Sequence, residues 1–348
     1  GSKRAGGLAG VRGDVLTFSP RRYANEPATA LAELLTAQWP GGAAKVLFTT
    51  GGSDAIEVAI KLARVATGRS ATISLEGAYH GHGFGAFGLS RAVPDARLGS
   101  FLADRVHVRP YWKHGAAAML HDIERALVST PGGVAALIAE PIRSNCHVPP
   151  PELWPEVRRL CDAAGTALIF DEIPSGLGKT GKFFAFQHFD VRPDMVVLGK
   201  ALGGGQLPIA AVLADVRFDV APELALGHYT HEKNPLTTRA ALTTVSIILR
   251  DGLPARAAAL EQLVRARVSA SPWLRGVRGR GLLLALELTQ PPADEGRLLA
   301  ALLAQGVSTT TKGDDAIGFS PPLTISEAEI ELALEGIGRA VEGLEPRA

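Results

Sequence analysis

The chain has 348 residues, of which 46% are hydrophobic and 20% are charged, and its formal net charge is +1. This length favours two unequal domains, and the composition is ordinary for a globular protein. The balanced charge gives no electrostatic reason to expect nucleic acid or an anionic membrane surface as a partner. No apolar run approaches the roughly 18 residues of a membrane-spanning helix, so we expect no membrane partner.

The two cysteines, Cys146 and Cys161, give information about the compartment. Their spacing does not match that of metal ligands, and two residues are too few for a disulfide framework. Buried or half-buried thiols suit a reducing environment, so we expect a cytoplasmic protein. We expect no metal site, because His80 and His82 lie on a glycine-rich loop without a third ligand nearby.

Apolar strands and amphipathic helices alternate along the first two thirds of the chain. Apolar side chains recur at helical spacing from Ile56 to Ala63, behind Ser53, which suits a helix N-cap. This alternation predicts an α/β fold with a mostly parallel sheet covered by helices on both faces. The predicted strands are residues 46–48, 71–75, 134–139, 167–170, 195–198 and 210–213, and the other helices are residues 28–37, 120–128, 152–163 and 236–249.

The amino-acid composition changes after Gly252, where a helix rich in Ala, Leu and Arg is predicted to begin. A smaller C-terminal α/β domain is predicted there, with a strand at 281–288, a helix at 295–304, a β-like stretch after it and a last helix from Ser326. We therefore predict three parts. They are an N-terminal segment at residues 1–40 that joins the small domain near the mouth of the site, a large domain at 41–252 and a small domain at 253–348.

Chemically capable residues follow the ends of five predicted strands. In an open parallel sheet, ligands bind outside the carboxyl ends of the strands. Adjacent residues of a strand point to opposite faces, so we do not expect Asp171 and Glu172 to act as a carboxylate pair. The five ends carry the turn at 50–53, the segment 76–81, Glu140, Asp171 with Glu172, and Lys200.

Three of these features have both a functional and an ordinary interpretation. Partial desolvation would make Lys200 a nucleophilic amine, or the side chain could simply reach solvent. Asp171 needs a partner for its burial, which a protonated ring nitrogen, an ion pair or a helix cap would supply. The turn at 51–53 suits an anion at a helix start or is a plain turn. A nucleotide P-loop at 173–180 is excluded, because Ile173 replaces its first glycine.

Two segments are long and specific enough to compare with known families. They are IFDEIPSGLGKTG at residues 169–181 and GKALGGG at residues 199–205, with the pair PD at 193–194 between them. Together they resemble the class III aminotransferases, the ornithine/GABA/ω-amino-acid type of fold-type-I pyridoxal-5'-phosphate (PLP) enzyme. The likeness runs from about Tyr23 to the C-terminal region. It implies the PLP-dependent transferase fold, PLP as cofactor and a small amine or amino acid as substrate.

The resemblance implies roles for individual residues. Lys200 matches the lysine that forms a Schiff base with PLP, and Asp171 matches the partner of the pyridine nitrogen. Gly52 and Ser53 match the loop that binds the phosphate.

Further matches concern the ring of the cofactor and the neighbouring subunit. Ile173 matches the branched residue on one ring face, and Tyr79 matches the aromatic residue on the other, with His80 beside it among the expected cofactor contacts. Thr230 matches a threonine that reaches the phosphate of the neighbouring subunit. The resemblance therefore implies a homodimer with composite active sites.

The chain also departs from the family pattern. Pro174 replaces a customary glutamine, and Lys179 stands where arginine is common. Gly318 occupies the position of an arginine that binds the substrate carboxylate in many relatives. Glu140 matches the usual partner of that arginine, so we expect it to lack this partner.

Candidate substrate contacts follow from the same comparison. They are Glu140, Arg143 and Tyr23, with Arg143 or a substrate ammonium compensating the Glu140 carboxylate. Arg21, Arg22 and Lys233 are further candidates for anion contacts, although each also fits a solvated surface charge.

We expect transamination, in which Lys200 serves as general base and acid. The missing carboxylate arginine keeps alternatives open. One is a racemase or epimerase, and another is an ammonia-lyase or phospho-lyase acting on a phosphorylated or phosphonate amine. A non-catalytic binding protein on the same scaffold is a third.

Overall fold

The protein forms two compact units in a computed structural model, which describes residues 23–90, 104–291, 293–313, 315–342 and 344. The division into residues 1–40, 41–252 and 253–348 stays a prediction. The sequence did not indicate that two short early segments join the second unit. The first unit contains residues up to Pro141, Pro149–Leu177 and Phe186–Ile248, and the second contains Ile142–Val148, Gly178–Ala185 and the chain from Leu249 onward.

A seven-stranded sheet forms the centre of the first unit. Its strands are β1 (Ala44–Thr49), β2 (Ala71–Leu75), β3 (Arg105–Val108), β4 (Val134–Ala139), β5 (Ala167–Asp171), β6 (Met195–Leu198) and β7 (Ala210–Asp215). The order is β1-β7-β6-β5-β4-β2-β3. Only β7 is reversed, because it pairs antiparallel with both β1 and β6. The mostly parallel sheet is confirmed, and the carboxyl ends of its other strands lie at one edge.

Helices cover this sheet, and side-chain alternation decides which residues face them. Ile169 of β5 belongs to the core that the sheet shares with helix α2. Phe170 points the other way, where its ring centroid lies 5.0 Å from that of Trp154. Asp171 therefore projects to the face of Ile169. The helices of this part are α1 (Glu26–Thr36), α2 (Gly52–Thr67), α3 (Phe84–Ser90), α4 (Tyr111–His114), α5 (Ala116–Ser129), α6 (Leu153–Ala164) and α7 (Pro235–Arg250).

Helix α2 begins earlier than predicted. Gly51 occupies the N-cap position in an extended conformation, so the prediction that Ser53 caps the helix is wrong. The Ser53 hydroxyl instead accepts a hydrogen bond of 3.1 Å from the backbone N–H of His82. The predicted apolar face from Ile56 to Ala63 is buried against the sheet.

The second unit is built on a three-stranded antiparallel sheet in the order β10-β9-β8. Its core is apolar, with Leu284 and Leu286 of β9 buried against helical side chains. The last helix begins one residue after Ser326, whose hydroxyl accepts the Glu329 N–H while the Glu329 carboxylate accepts the Ser326 N–H. The elements are α8 (Leu253–Ser269), β8 (Leu274–Arg280), β9 (Leu283–Leu288), α9 (Glu295–Ala304), β10 (Ala316–Phe319) and α10 (Glu327–Glu342).

The two cysteines are both free and buried, as the sequence predicted. Burial raises the pKa of the Cys161 thiol to about 12, so this side chain is not a nucleophile at neutral pH. Within the described ranges, no helix is long and apolar enough to cross a bilayer.

Candidate active site

Lys200 and Asp171 lie at the ends of neighbouring strands of the large sheet. Asp171 is the last residue of β5 and pairs with Val197 of β6. Lys200 comes two residues after β6 ends at Leu198. Since paired strands lie about 5 Å apart, the fold brings both residues to one short stretch of the sheet edge.

Lys200 begins a short 3₁₀ turn, Lys200–Gly203, directly behind β6. Its φ of +43° lies in the left-handed region, which is uncommon for a residue other than glycine and is often imposed at functional positions. The residue is exposed, which agrees with the alternative that its side chain reaches solvent.

Asp171 is almost fully buried, with a side chain that is 3% exposed. One carboxylate oxygen lies 2.8 Å from Nδ1 of the His80 imidazole, and the other accepts a 3.1 Å hydrogen bond from the Ile173 N–H. A carboxylate oxygen has two lone pairs, so Asp171 can still accept a bond from a further donor. The buried Nε2 of His80 has no hydrogen-bond partner among the described residues.

Glu172 serves a different part of the fold from Asp171. Its carboxylate accepts a 2.7 Å hydrogen bond from the buried N–H of Phe186. The two neighbouring carboxylates thus have separate hydrogen-bond partners, in agreement with the expectation that they do not form an acid–base pair.

The start of α2 lies close to the residue that precedes Lys200, with Ile173 between them. A Cβ atom built on Gly52 would lie 2.7 Å from Cδ1 of Ile173, so a larger residue there would force this side chain to shift. A Cβ on Gly199 would lie 3.3 Å from Cγ2 of the same side chain. The first N–H groups of α2 have no partner within the helix and attract anions. An anion site, an apolar side chain, an amine and a buried carboxylate together suit a flat ring that carries phosphate, aldehyde and ring nitrogen.

Two predicted contacts lie on exposed loops. Tyr79 is 56% exposed, and its ring meets that of His82 edge-on with centroids 5.6 Å apart. Thr230 is exposed on a turn before α7. Their roles toward ring and phosphate stay predictions.

The three candidate substrate contacts differ in how exposed they are. Glu140 is buried directly after β4, and it is not left without an interaction partner. Arg143 is half-buried and belongs to the second unit. Tyr23 is exposed, and its backbone carbonyl accepts a hydrogen bond from the Lys233 ammonium. Arg21 and Arg22 lie outside the described residues.

Comparison with known proteins identifies the family. Residues 11–341 match the family described as class-III aminotransferases. The chain belongs to this family. An acetylornithine aminotransferase from Methanopyrus kandleri is 36% identical over 92% of this chain and 80% of its own length. An (R)-1-hydroxy-2-aminoethylphosphonate ammonia-lyase from Vibrio splendidus is 34% identical over 94% of this chain and 76% of its own length.

Solved structures of class III aminotransferases have the same fold. An (S)-enantioselective ω-transaminase from Thermomicrobium roseum matches with a TM-score of 0.83 and 27% identity, over 94% of this chain and 82% of that chain. A taurine:2-oxoglutarate aminotransferase from Bifidobacterium kashiwanohense, in complex with PLP and glutamate, matches with a TM-score of 0.82 and 28% identity, over 95% and 83%.

Lys179 stands where arginine is common in the class III family, and its burial has a measurable consequence. Its ammonium donates a hydrogen bond to the Pro321 carbonyl, and burial lowers its pKa from 10.5 to about 8. Because the unfolded chain binds this proton more tightly, the burial cost is full below pH 8, about 3 kcal/mol, and disappears toward pH 10.5. We expect the stability of the protein relative to Lys179→Met to rise as pH increases across this window.

Denaturant unfolding at pH 7, 8, 9 and 10 measures this difference. The exposed Lys113 is the matched control, and Lys113→Met is expected to show no such slope. An unfolding free-energy difference between Lys179→Met and the parent protein that stays constant with pH would show that the amine is not desolvated.

Proposed function

We propose that this class III enzyme binds PLP on Lys200 and catalyses transamination between a primary amine or amino acid and a keto acid. One observation carries the proposal. An exposed lysine and a buried aspartate lie at the ends of neighbouring strands, at the edge where α2 begins. When bound, PLP supplies a ring that accepts electrons from the substrate carbon.

The residues of the chain have separable tasks in this proposal. The amine of Lys200 would hold the cofactor and would serve as general base and acid at the reacting carbon of the substrate. The carboxylate of Asp171 holds a proton on the ring nitrogen. The N-terminus of α2 binds the phosphate, while Ile173 and Tyr79 cover the ring faces.

We also propose a homodimer in the cytoplasm. Thr230 is exposed on a turn, which allows it to serve a neighbouring subunit. The two free cysteines suit a reducing compartment. Size-exclusion chromatography with light scattering tests the assembly, and a monomer at working concentration would contradict it.

An ammonia-lyase is the second candidate function. It is supported by the similarity to the Vibrio splendidus lyase over 94% of this chain. Gly318, which offers no charged side chain where many relatives are expected to bind a carboxylate, is compatible with a substrate that carries a phosphonate instead.

A spectral experiment separates the two candidates. Amine donors are mixed with the PLP-loaded enzyme without any keto acid, and the visible cofactor band is recorded together with released ammonia. The donors are acetylornithine, alanine, β-alanine and 1-hydroxy-2-aminoethylphosphonate. Transamination bleaches the band in one turnover because the cofactor keeps the amino group. A band that persists while ammonia accumulates contradicts transamination and favours the lyase.

A further inference from the structure

A stripe of polar side chains on helix α2 contacts the segment of chain that follows Tyr79. Ser53, Glu57 and Lys61 recur every four residues and therefore lie on one face of the helix. The loop segment 79–86 runs from Tyr79 into the first turn of helix α3. It contacts Ser53 and Glu57 of this stripe through hydrogen bonds and close approaches. The mechanism proposed above does not use Glu57 or Lys61.

Glu57 has the tightest of these contacts. Its Oε1 accepts a 2.9 Å hydrogen bond from the Ala86 N–H, in the first turn of α3. A Cβ on Gly83 would lie 2.4 Å from this oxygen, and a Cβ on Gly85 would lie 2.9 Å from Oε2. The glycines therefore let the loop backbone close around one carboxylate, which also satisfies an N–H at the start of α3.

Ser53 fastens the same loop one helical turn earlier. It accepts the His82 N–H, and a Cβ on Gly81 would lie 2.4 Å from its hydroxyl oxygen. At the far end of α3, the buried Ser90 hydroxyl accepts the His80 N–H at 2.9 Å. The backbone next to Tyr79 is thus fixed by contacts at both ends of α3, at Ala86 in its first turn and at Ser90, its last residue.

Lys61 extends the stripe to the loop that carries Thr230. Its ammonium lies 5.5 Å from the ring centroid of Tyr229. The Tyr229 N–H is in turn bound by the Glu232 carboxylate at 2.6 Å. Burial raises the pKa of the Tyr229 hydroxyl, and the negative charges of Asp54 and Glu57 add to this effect.

We infer that Glu57 is a positioning residue for the cofactor: it fixes loop 79–86 against α2, so that the phosphate-binding helix start and the ring-covering Tyr79 form one rigid frame. This inference rests on the proposed function for its cofactor. The contacts of Glu57 itself are independent of it. Glu57 touches neither ring nor phosphate in this scheme and acts through the loop backbone.

Amide hydrogen exchange and PLP binding test the inference on the full chain. In Glu57→Ala, exchange in segment 79–90 is expected to become about tenfold faster before PLP is added, since the lost hydrogen bond joined a backbone amide to a charged acceptor. The Kd for PLP is expected to rise about tenfold, while saturating PLP still labels Lys200. Glu57→Gln keeps an acceptor oxygen and is expected to restore most of the protection and affinity.

Two further variants exclude a general effect on stability. Glu33 is an exposed glutamate on α1, and Glu33→Ala is expected to change neither measurement. Gly83→Ala places a methyl group against the Glu57 carboxylate and leaves the acidic side chain present. Because Gly83 acts through Glu57, the double variant with Glu57→Ala is expected to be no worse than the worse single variant. Gly83→Ala alone keeps the test available if Glu57→Ala does not fold.

The outcomes are distinct. Unchanged exchange in segment 79–90 of Glu57→Ala or Gly83→Ala overturns the inference whatever the cofactor does. An unchanged Kd for PLP, in a protein whose wild-type form is labelled at Lys200, also overturns it. A wild-type protein that does not bind PLP refutes the proposed function, whereas the exchange measurement still decides whether Glu57 fixes the loop.

Discussion

Replacing Lys200 by alanine is expected to lower kcat by about 10⁴-fold or more, because one amine both holds the cofactor and moves the proton. The side chain is exposed and follows the strand rather than filling the core, so the melting temperature is expected to stay within about 2 °C. Steady-state kinetics at saturating PLP and thermal unfolding measure the two effects.

A matched lysine shows whether the effect is specific to this position. Lys113 is also exposed, lies on α4 and has no role in the proposed site. Lys113→Ala is expected to retain full activity. Substantial turnover in Lys200→Ala would mean that another group holds the cofactor.

Replacing Asp171 by asparagine is expected to reduce kcat by about 10²–10³-fold, with a smaller loss of PLP affinity. Asparagine keeps the shape and can still accept the Ile173 N–H. It lacks the negative charge that keeps a proton on the ring nitrogen, and buried charge of this kind is worth several kcal/mol to a transition state. Comparing kcat with the Kd for PLP separates the two contributions.

The neighbouring Glu172 provides the control for this substitution. It is buried to a similar degree and accepts the Phe186 N–H instead. Glu172→Gln is expected to lower the melting temperature and to leave kcat of the folded fraction nearly unchanged. A loss of kcat in Glu172→Gln equal to that in Asp171→Asn would contradict the assignment of the ring partner.

The sequence predicted most of the large sheet because its strands are apolar runs with clear ends. β2, β4 and β6 begin and end at the predicted residues. Two strands were not predicted, and both lack such a run. β3 (Arg105–Val108) has only four residues, of which three are half-buried, and three arginines and two glycines interrupt the apolar residues of β8 (Leu274–Arg280). Pairing with a neighbour, not local pattern, makes these segments strands.

The site was predictable where a strand end determines position and not where distant loops meet. Lys200 and Asp171 follow from the ends of β6 and β5. The contact between His80 and Asp171 joins residues 91 apart in the sequence, and the sequence marked His80 only as a cofactor contact. Glu57 was not singled out, since an acidic residue near a helix start already has an ordinary explanation. The alternating glycines at 81, 83 and 85 were the available signal of a close approach.

Reduction of the PLP-loaded protein with borohydride, followed by peptide mapping, tests most directly whether Lys200 carries the cofactor. One pyridoxyl group per chain, fixed to Lys200, is the expected result. A pyridoxyl group on another lysine, or none at all, would contradict it.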